Sequence, residues 1–242
     1  DAGLRRHARN GRIGRGLAAK SERPNLPWTF KVADESVVNA FALPGGAIFV
    51  TRGLLAHLSS EAQLASVMGH EIGHVTARHS VRQMSQATLA QAGLLVGAAV
   101  SDTVAGLAPL GMGGLQLLFL RYGRDAEREA DDLGFRYAVG TGYDVRVMPG
   151  VFATLKRVGE AEGSQQIPGW LMTHPSPDER IVRINQAIAA QNPPAGRVDR
   201  DPFLAATNNM VFGDDPRHGY FEGDTFRHPE LKFQLQTPAG WK

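Results

Sequence analysis

Two histidines four residues apart with a glutamate between them, His70-Glu71-Ile72-Gly73-His74, are the residues of this 242-residue chain best suited to chemistry. On an α-helix, positions i and i+4 lie on adjacent turns of one face, so His70 and His74 project side by side. Two neutral imidazoles so placed can hold one Zn²⁺ at about 2.0–2.1 Å each. Glu71 would then touch a water on the metal without ligating it. Zinc lowers the pKa of such a water towards ~7, and Glu71 can take its proton and pass it to the leaving amine of a peptide bond. A pattern of five residues also arises by chance as a surface histidine pair, so its weight depends on the element that carries it. His79, nine residues beyond His70, falls on the opposite face of the same helix; it and Arg78 read as surface or packing residues.

A catalytic zinc needs a third protein ligand and an open fourth position. The candidate is Glu127, in the run Arg124-Asp125-Ala126-Glu127-Arg128-Glu129-Ala130-Asp131. Glu127 and Asp131 are four apart and share one helix face. Glu127 could ligate the metal while Asp131 accepts the free N–H of a ligand histidine and fixes its tautomer. Spacing alone leaves this open, because charged pairs at i,i+4 also decorate exposed helix faces, where Glu129 is expected. With no cysteine in the chain, thiolate zinc sites, thiol catalysis and disulfides are excluded together.

The positioning elements follow from periodicity and caps. Residues 1–20 read as a helix with Leu4, Ile13 and Leu17 on one side, broken at Pro24 and Pro27. Strand signals run from Trp28 to Ala33, Val37 to Leu43 and Ala47 to Thr51, the last two joined by Pro44-Gly45-Gly46, a hairpin turn. This predicts a small antiparallel sheet. Ser59 or Ser60 then caps the motif helix, with Glu61 in its first turn, where a carboxylate meets the helix dipole. Leu64, Met68, Ile72 and Val75 make one apolar stripe that docks this helix in the core. A second strong helix spans about Asp125 to Val139, with Ala126, Ala130, Leu133 and Tyr137 inward. Pro149 opens a short helix, and Ser176-Pro177-Asp178-Glu179 opens another with Ile181, Ile184 and Ile188 on its stripe.

Between Gln83 and Leu120 only Asp102 is charged. The strongest apolar piece, Leu89 to Val100, falls short of the roughly 18 residues a membrane span requires, so a buried helix pair or an apolar flap near the site is expected, with surface membrane contact as the secondary reading. The division expected is a domain over 1–196, closed by Pro193-Pro194, and a Gly-, Asp- and aromatic-rich segment over 197–242, either a wrapped extension or the start of a further module. A formal charge of +2 with a pI near 9.1 does not argue for nucleic acid. The basic residues Arg5, Arg6, Arg9, Arg12 and Arg15 read first as a solvated helix face, and secondarily as a contact for anionic lipid. The chain starts at Asp1 without Met or an apolar leader, which a removed targeting segment or a trimmed chain would equally produce.

The motif followed by Glu127 and Asp131 resembles the HtpX/BepA-like gluzincin metallopeptidases, kin of the CAAX prenyl endopeptidases. The likeness extends to Asn39-Ala40-Phe41-Ala42-Leu43-Pro44-Gly45-Gly46, to Thr51-Arg52-Gly53-Leu54-Leu55, and to Thr173-His174-Pro175-Ser176-Pro177 with Arg180 beyond. The resemblance implies an α+β, mainly α, zincin-like fold with the sheet beside the motif helix. It implies one Zn²⁺ held by His70, His74 and Glu127. It implies that His174 lies near the metal, in some members masking the open position, and that Arg180 steadies the oxyanion. It implies that the edge strand at Asn39, Ala40 and Phe41 aligns a peptide through backbone pairing. The chain lacks the long apolar spans of the integral-membrane members, which points to the soluble periplasmic branch and to misfolded or misassembled envelope proteins as substrates. A chaperone-like binding module with a masked or structural zinc is the alternative. Nothing in the sequence fixes the oligomeric state.

Overall fold

The motif helix begins where Ser60 Oγ accepts a hydrogen bond from Gln63 N, satisfying one of the free donors of the first turn. A computed structural model describes residues 2–100, 122–161, 169–174 and 176–238. Helix α1 covers Ala2–Ala18, and strands β1 (Thr29–Ala33), β2 (Ala40–Leu43) and β3 (Ala47–Thr51) follow. Helix α2 (Arg52–His57) leads into the motif helix α3 (Glu61–Thr76), and α4 runs over His79–Val100. Then come α5 (Arg124–Gly140), α6 (Met148–Ala161), α7 (Gly169–Thr173), α8 (Pro177–Gln191) and α9 (Arg200–Thr207). Strands β4 (Tyr220–Glu222), β5 (Thr225–His228) and β6 (Phe233–Gln236) form a separate antiparallel sheet. The architecture is α+β and mainly helical, as expected.

The first sheet has the order β1-β3-β2. The hairpin around Gly45 and Gly46 pairs β2 with β3 antiparallel, but β1 pairs with β3 in parallel, Phe30 opposite Ile48. The sheet is therefore mixed rather than purely antiparallel, because residues 34–39 carry the chain past β3 before β2 returns along its far side. This leaves β2 at an edge of the sheet.

Helix α3 is buried on nearly all sides, with His70, Glu71 and His74 as enclosed as Leu64, Met68 and Ile72. Its polar face is covered by α5, and the two helices meet backbone to backbone. A Cβ added at Gly134 would lie 2.8 Å from His70 N, and one at Gly73 would lie 2.9 Å from Ala130 O. Only glycine permits so close an approach, which brings Glu127 and Asp131 of α5 up to the histidines. The inward line of α5 is Glu127, Ala130, Asp131, Gly134 and Ala138, beside Leu133 and Tyr137; Ala126 lies only at its margin.

Helix α1 docks on the body through one face, while Arg12 and Arg15 on the other remain exposed. Ile13, Leu17 and Ala18 lie in the core, and Arg9 and Arg12 reach the buried Glu61 carboxylate at 3.2 and 2.7 Å. Phe203 of α9 is also in the core, and the Arg52 guanidinium bonds the carbonyl oxygens of Val211 and Gly213. The stretch up to residue 213 thus wraps on the body, while the strands β4 and β6 are exposed. Among the described residues no helix is long and apolar enough to cross a membrane. The apolar stretch from Gln83 to Leu120 begins as α4; its part over 101–120 lies outside the described residues.

Candidate active site

His70 and His74 project from adjacent turns of α3, with their Nε2 atoms 2.9 Å apart. Glu127, in the first turn of α5, places Oε1 3.4 Å from His74 Nε2 and Oε2 3.6 Å from His70 Nε2. His174 sits just beyond α7, its backbone N donating to Trp170 O at 2.8 Å. Its Nδ1 is 2.8 Å from Glu127 Oε1 and 3.2 Å from His70 Nε2. The four side chains offer donor atoms that all lie within 4.8 Å of one another, and all four are buried. Tetrahedral coordination with bonds of about 2.0–2.1 Å separates ligand atoms by roughly 3.3 Å. The observed separations bracket that value, so the donor set fits an ion of the zinc type.

The surroundings orient these ligands. Asp131 Oδ1 lies 2.9 Å from His70 Nδ1, the position expected of a carboxylate that fixes the tautomer. Arg180 Nε donates to Asp131 Oδ2 at 2.8 Å, and its Nη1 lies 2.9 Å from Glu127 Oε2. The same guanidinium packs over the rings of Phe152 and Trp170, 4.3 and 4.6 Å from their centroids. Tyr122 stacks on His74 with centroids 4.0 Å apart, and Trp170 stacks on His174 at 4.7 Å. The centre is thereby closed to bulk water.

Enclosure sets the electrostatics. Burial, assisted by the charge of Arg180, pushes His70 down to about 4, and burial likewise holds His74 well below its usual range. Both imidazoles are therefore neutral and able to ligate at pH 7. Burial would raise Glu127, but the charge and the hydrogen bond of His174 outweigh it and hold the carboxylate ionised. Burial pushes Glu71 up to about 7, only partly offset by His174, whose Nε2 is 3.5 Å from Glu71 Oε1. Glu71 Oε1 has no hydrogen-bond partner among the described residues. A carboxylate that titrates near neutrality, with one oxygen free of hydrogen bonds among the described residues, suits a proton carrier.

Residues 5–188 match the peptidase family M48. The chain belongs to that family. A Vibrio cholerae relative is 37% identical over 191 residues, covering 75% of this chain and 39% of its own. The mitochondrial metalloendopeptidase OMA1 of Arabidopsis thaliana is 36% identical over 173 residues, covering 70% of this chain and 33% of its own. The beta-barrel assembly-enhancing protease of Escherichia coli K12 is 29% identical over 206 residues, covering 82% and 42%. The chain thus spans about two-fifths of the length of these M48 relatives or less.

Within this M48 site the structure brings together His70, Glu71, His74, Glu127, Asp131, His174 and Arg180. The edge strand lies alongside: Ala40 is buried, Phe41 stacks on Phe49 at 5.0 Å, and Asn39 Oδ1 is buried without a hydrogen-bond partner among the described residues. The backbone N of Trp170 already bonds Val38 O at 3.2 Å, at the entrance to that edge. One expectation fails. His79 does not face away from the motif: it is a packed residue, 5% exposed, and its Nδ1 lies 2.9 Å from His74 Nδ1. The motif helix does not continue to it. The chain reverses at Arg78, whose φ of 59° is left-handed, and His79 starts α4 facing back towards His74. Glu129, expected on the solvated face, bonds His79 Nε2 at 3.1 Å. Tyr122 and Trp170 were also missed, since nothing in their local sequence distinguishes a site-lining ring from a core one.

Proposed function

We propose that the chain is a zinc-dependent endopeptidase whose active centre is built from His70, His74 and Glu127, with Glu71 as general base. The observation that carries this is the buried donor set on α3 and α5 with the Glu71 carboxylate beside it, its Oε1 without a hydrogen bond among the described residues. Zinc, when bound, supplies a Lewis acid that polarises the scissile carbonyl and acidifies water. Glu71 takes the proton of the attacking water and returns it to the leaving nitrogen. Asp131 holds His70 in its ligating tautomer. Arg180 orders the carboxylates of Glu127 and Asp131, and its Nη2, 3.4 Å from His70 Nε2, brings positive charge to where the oxyanion develops. The free edge of β2 at Ala40 pairs with an extended peptide regardless of its side chains, which suits unfolded polypeptide as substrate, while the backbone of Asn39 is already bonded to Thr51 on the β3 side. The chemistry resides in 1–196, with 197–242 as an extension.

His174 occupies the fourth donor position, and Trp170 covers the edge at Val38. We take this arrangement as a masked state from which His174 withdraws when substrate enters. Envelope proteins that have misassembled are the substrate class, and the periplasm the compartment, suggested by the E. coli relative's name and by the resemblance to the periplasmic branch. One observation favours a second reading: four protein donors around one ion is the pattern of a structural zinc, which would make the protein a chaperone-like module. Digestion of an unfolded model protein by wild type and H174A, with zinc content measured, separates the two. Raised cleavage with zinc retained is expected of H174A. Loss of zinc, with no cleavage by either protein, would overturn the peptidase reading.

A further inference from the structure

Two ligand histidines need two orienting partners, and only that of His70 was legible in the spacing of the sequence. His74 directs Nε2 into the donor set, 2.9 Å from His70 Nε2 and 3.4 Å from Glu127 Oε1. Its other nitrogen, Nδ1, meets His79 Nδ1 at 2.9 Å. His79 Nε2 in turn meets Glu129 Oε2 at 3.1 Å, with the Arg82 guanidinium 3.9 Å from that same oxygen.

A hydrogen bond between two ring nitrogens needs one donor and one acceptor. If His74 Nε2 gives its lone pair to a metal, its proton resides on Nδ1 and is donated to His79. His79 then accepts at Nδ1 and carries its own proton on Nε2, directed at the Glu129 carboxylate. One assignment satisfies every link, and no alternative does while Nε2 of His74 ligates.

We infer that His79, held by Glu129, is the positioning residue for the ligand His74, acting as Asp131 does for His70. This rests on the zinc-centre reading above. Helix α5 thereby supports the whole centre with three carboxylates at alternate positions: Glu127 as ligand, Asp131 behind His70, and Glu129 behind His74 through His79. The intervening imidazole spans a gap that a carboxylate on α5 does not bridge directly. Its position follows from the left-handed turn at Arg78, which turns α4 back over the end of α3. Tyr122 closes the arm from above, stacked on His74 and bonded through its hydroxyl to Ser80 Oγ at 2.7 Å. The outer end reaches a cavity of about 290 Å³ lined by His79, Arg82, Gln83, Tyr122 and Glu129 among others, so Glu129 is half exposed while His79 is not.

The test is zinc affinity of the full chain, measured by competition with a chromogenic chelator, for wild type, H79F and H79N. Loss of an orienting partner typically weakens metal binding by about 10–100-fold, and H79F is expected in that range. H79N keeps an acceptor in the place of Nδ1 for His74 but is too short to reach Glu129, and should bind zinc more tightly than H79F and less tightly than wild type. In ¹⁵N spectra of the zinc-loaded wild type, His74 should carry its proton on Nδ1. Wild-type affinity in folded H79F would overturn the inference, as would an unprotonated His74 Nδ1. Should H79F fail to fold, the wild-type spectrum and the H79N affinity decide it. Failure of the peptidase reading is distinguishable, because it shows as absent cleavage with zinc affinity and tautomer intact.

Discussion

Replacing Gly134 by alanine tests whether the close approach of α3 and α5 creates the metal centre. The added Cβ would lie 2.8 Å from His70 N, 2.9 Å from Gly69 C and 3.2 Å from Gly69 O. All three are backbone atoms of a buried helix, so no side chain can rotate aside. Reaching an ordinary contact of about 3.5 Å requires the helices to separate by roughly 0.7 Å. Metal ligation tolerates about 0.2 Å, so the separation displaces Glu127 beyond what the site can absorb. Overpacking costs up to about 3 kcal/mol, against about 1 kcal/mol gained from replacing glycine within a helix, leaving a net loss near 2 kcal/mol. Gly16 of α1 is the control, since its Cβ would meet nothing nearer than Thr141 Cγ2 at 3.9 Å. Urea unfolding in the presence of chelator should show G134A destabilised and G16A stabilised by about 0.5–1 kcal/mol. Chelator competition should show zinc affinity lowered in G134A alone. If G134A is as stable as wild type and binds zinc as tightly, the proposed contact is not what shapes the site.

Three further outcomes follow from the same contacts. Arg78 is exposed and left-handed, so R78G should raise the unfolding free energy by roughly 0.5–1 kcal/mol in urea titration. F203A should lower it by about 3–4 kcal/mol, because Phe203 is 1% exposed in the core and no neighbour can fill its volume. Burial would raise the Glu61 carboxyl, but hydrogen bonds from Arg12 and Tyr143 and the charges of Arg12 and Arg9 hold it below its ordinary 4.5. A depressed folded pKa contributes stability that is present above pH 4.5 and lost as pH falls through the folded value. The urea midpoint of wild type should therefore exceed that of E61Q near pH 6, with the gap closing towards pH 3. A gap constant across that range would refute the assignment.

The local features of the sequence translated directly into structure. Ser60 caps α3, Glu61 occupies its first turn, and the Gly45–Gly46 turn pairs β2 with β3, because each depends on residues only a few positions apart. Glu127 and Asp131 lie where their spacing on one face placed them. Features set by chain reversal did not translate. His79 was assigned to the wrong face by extending α3 past Ala77, where the chain instead turns at a non-glycine residue in the left-handed region, a choice with little local signature. The parallel pairing of β1 with β3 depends on the crossover at 34–39, and strand periodicity is silent on partner order. Gly134 carries no hydrophobic signal, yet it lets α5 approach α3; a glycine between Asp131 and Tyr137 on the inward line was the available clue. The roles of His174 and Arg180 came from family resemblance, since their helix positions alone mark them only as a loop residue and a surface base.

The central claim is that His70, His74 and Glu127 hold zinc while Glu71 moves the proton. Zinc content and digestion of an unfolded polypeptide, measured together on wild type and E71Q, test it most directly. The account predicts one zinc per chain in both proteins and cleavage by the wild type alone. Cleavage by E71Q at the wild-type rate, or a wild type that binds no zinc, would contradict it.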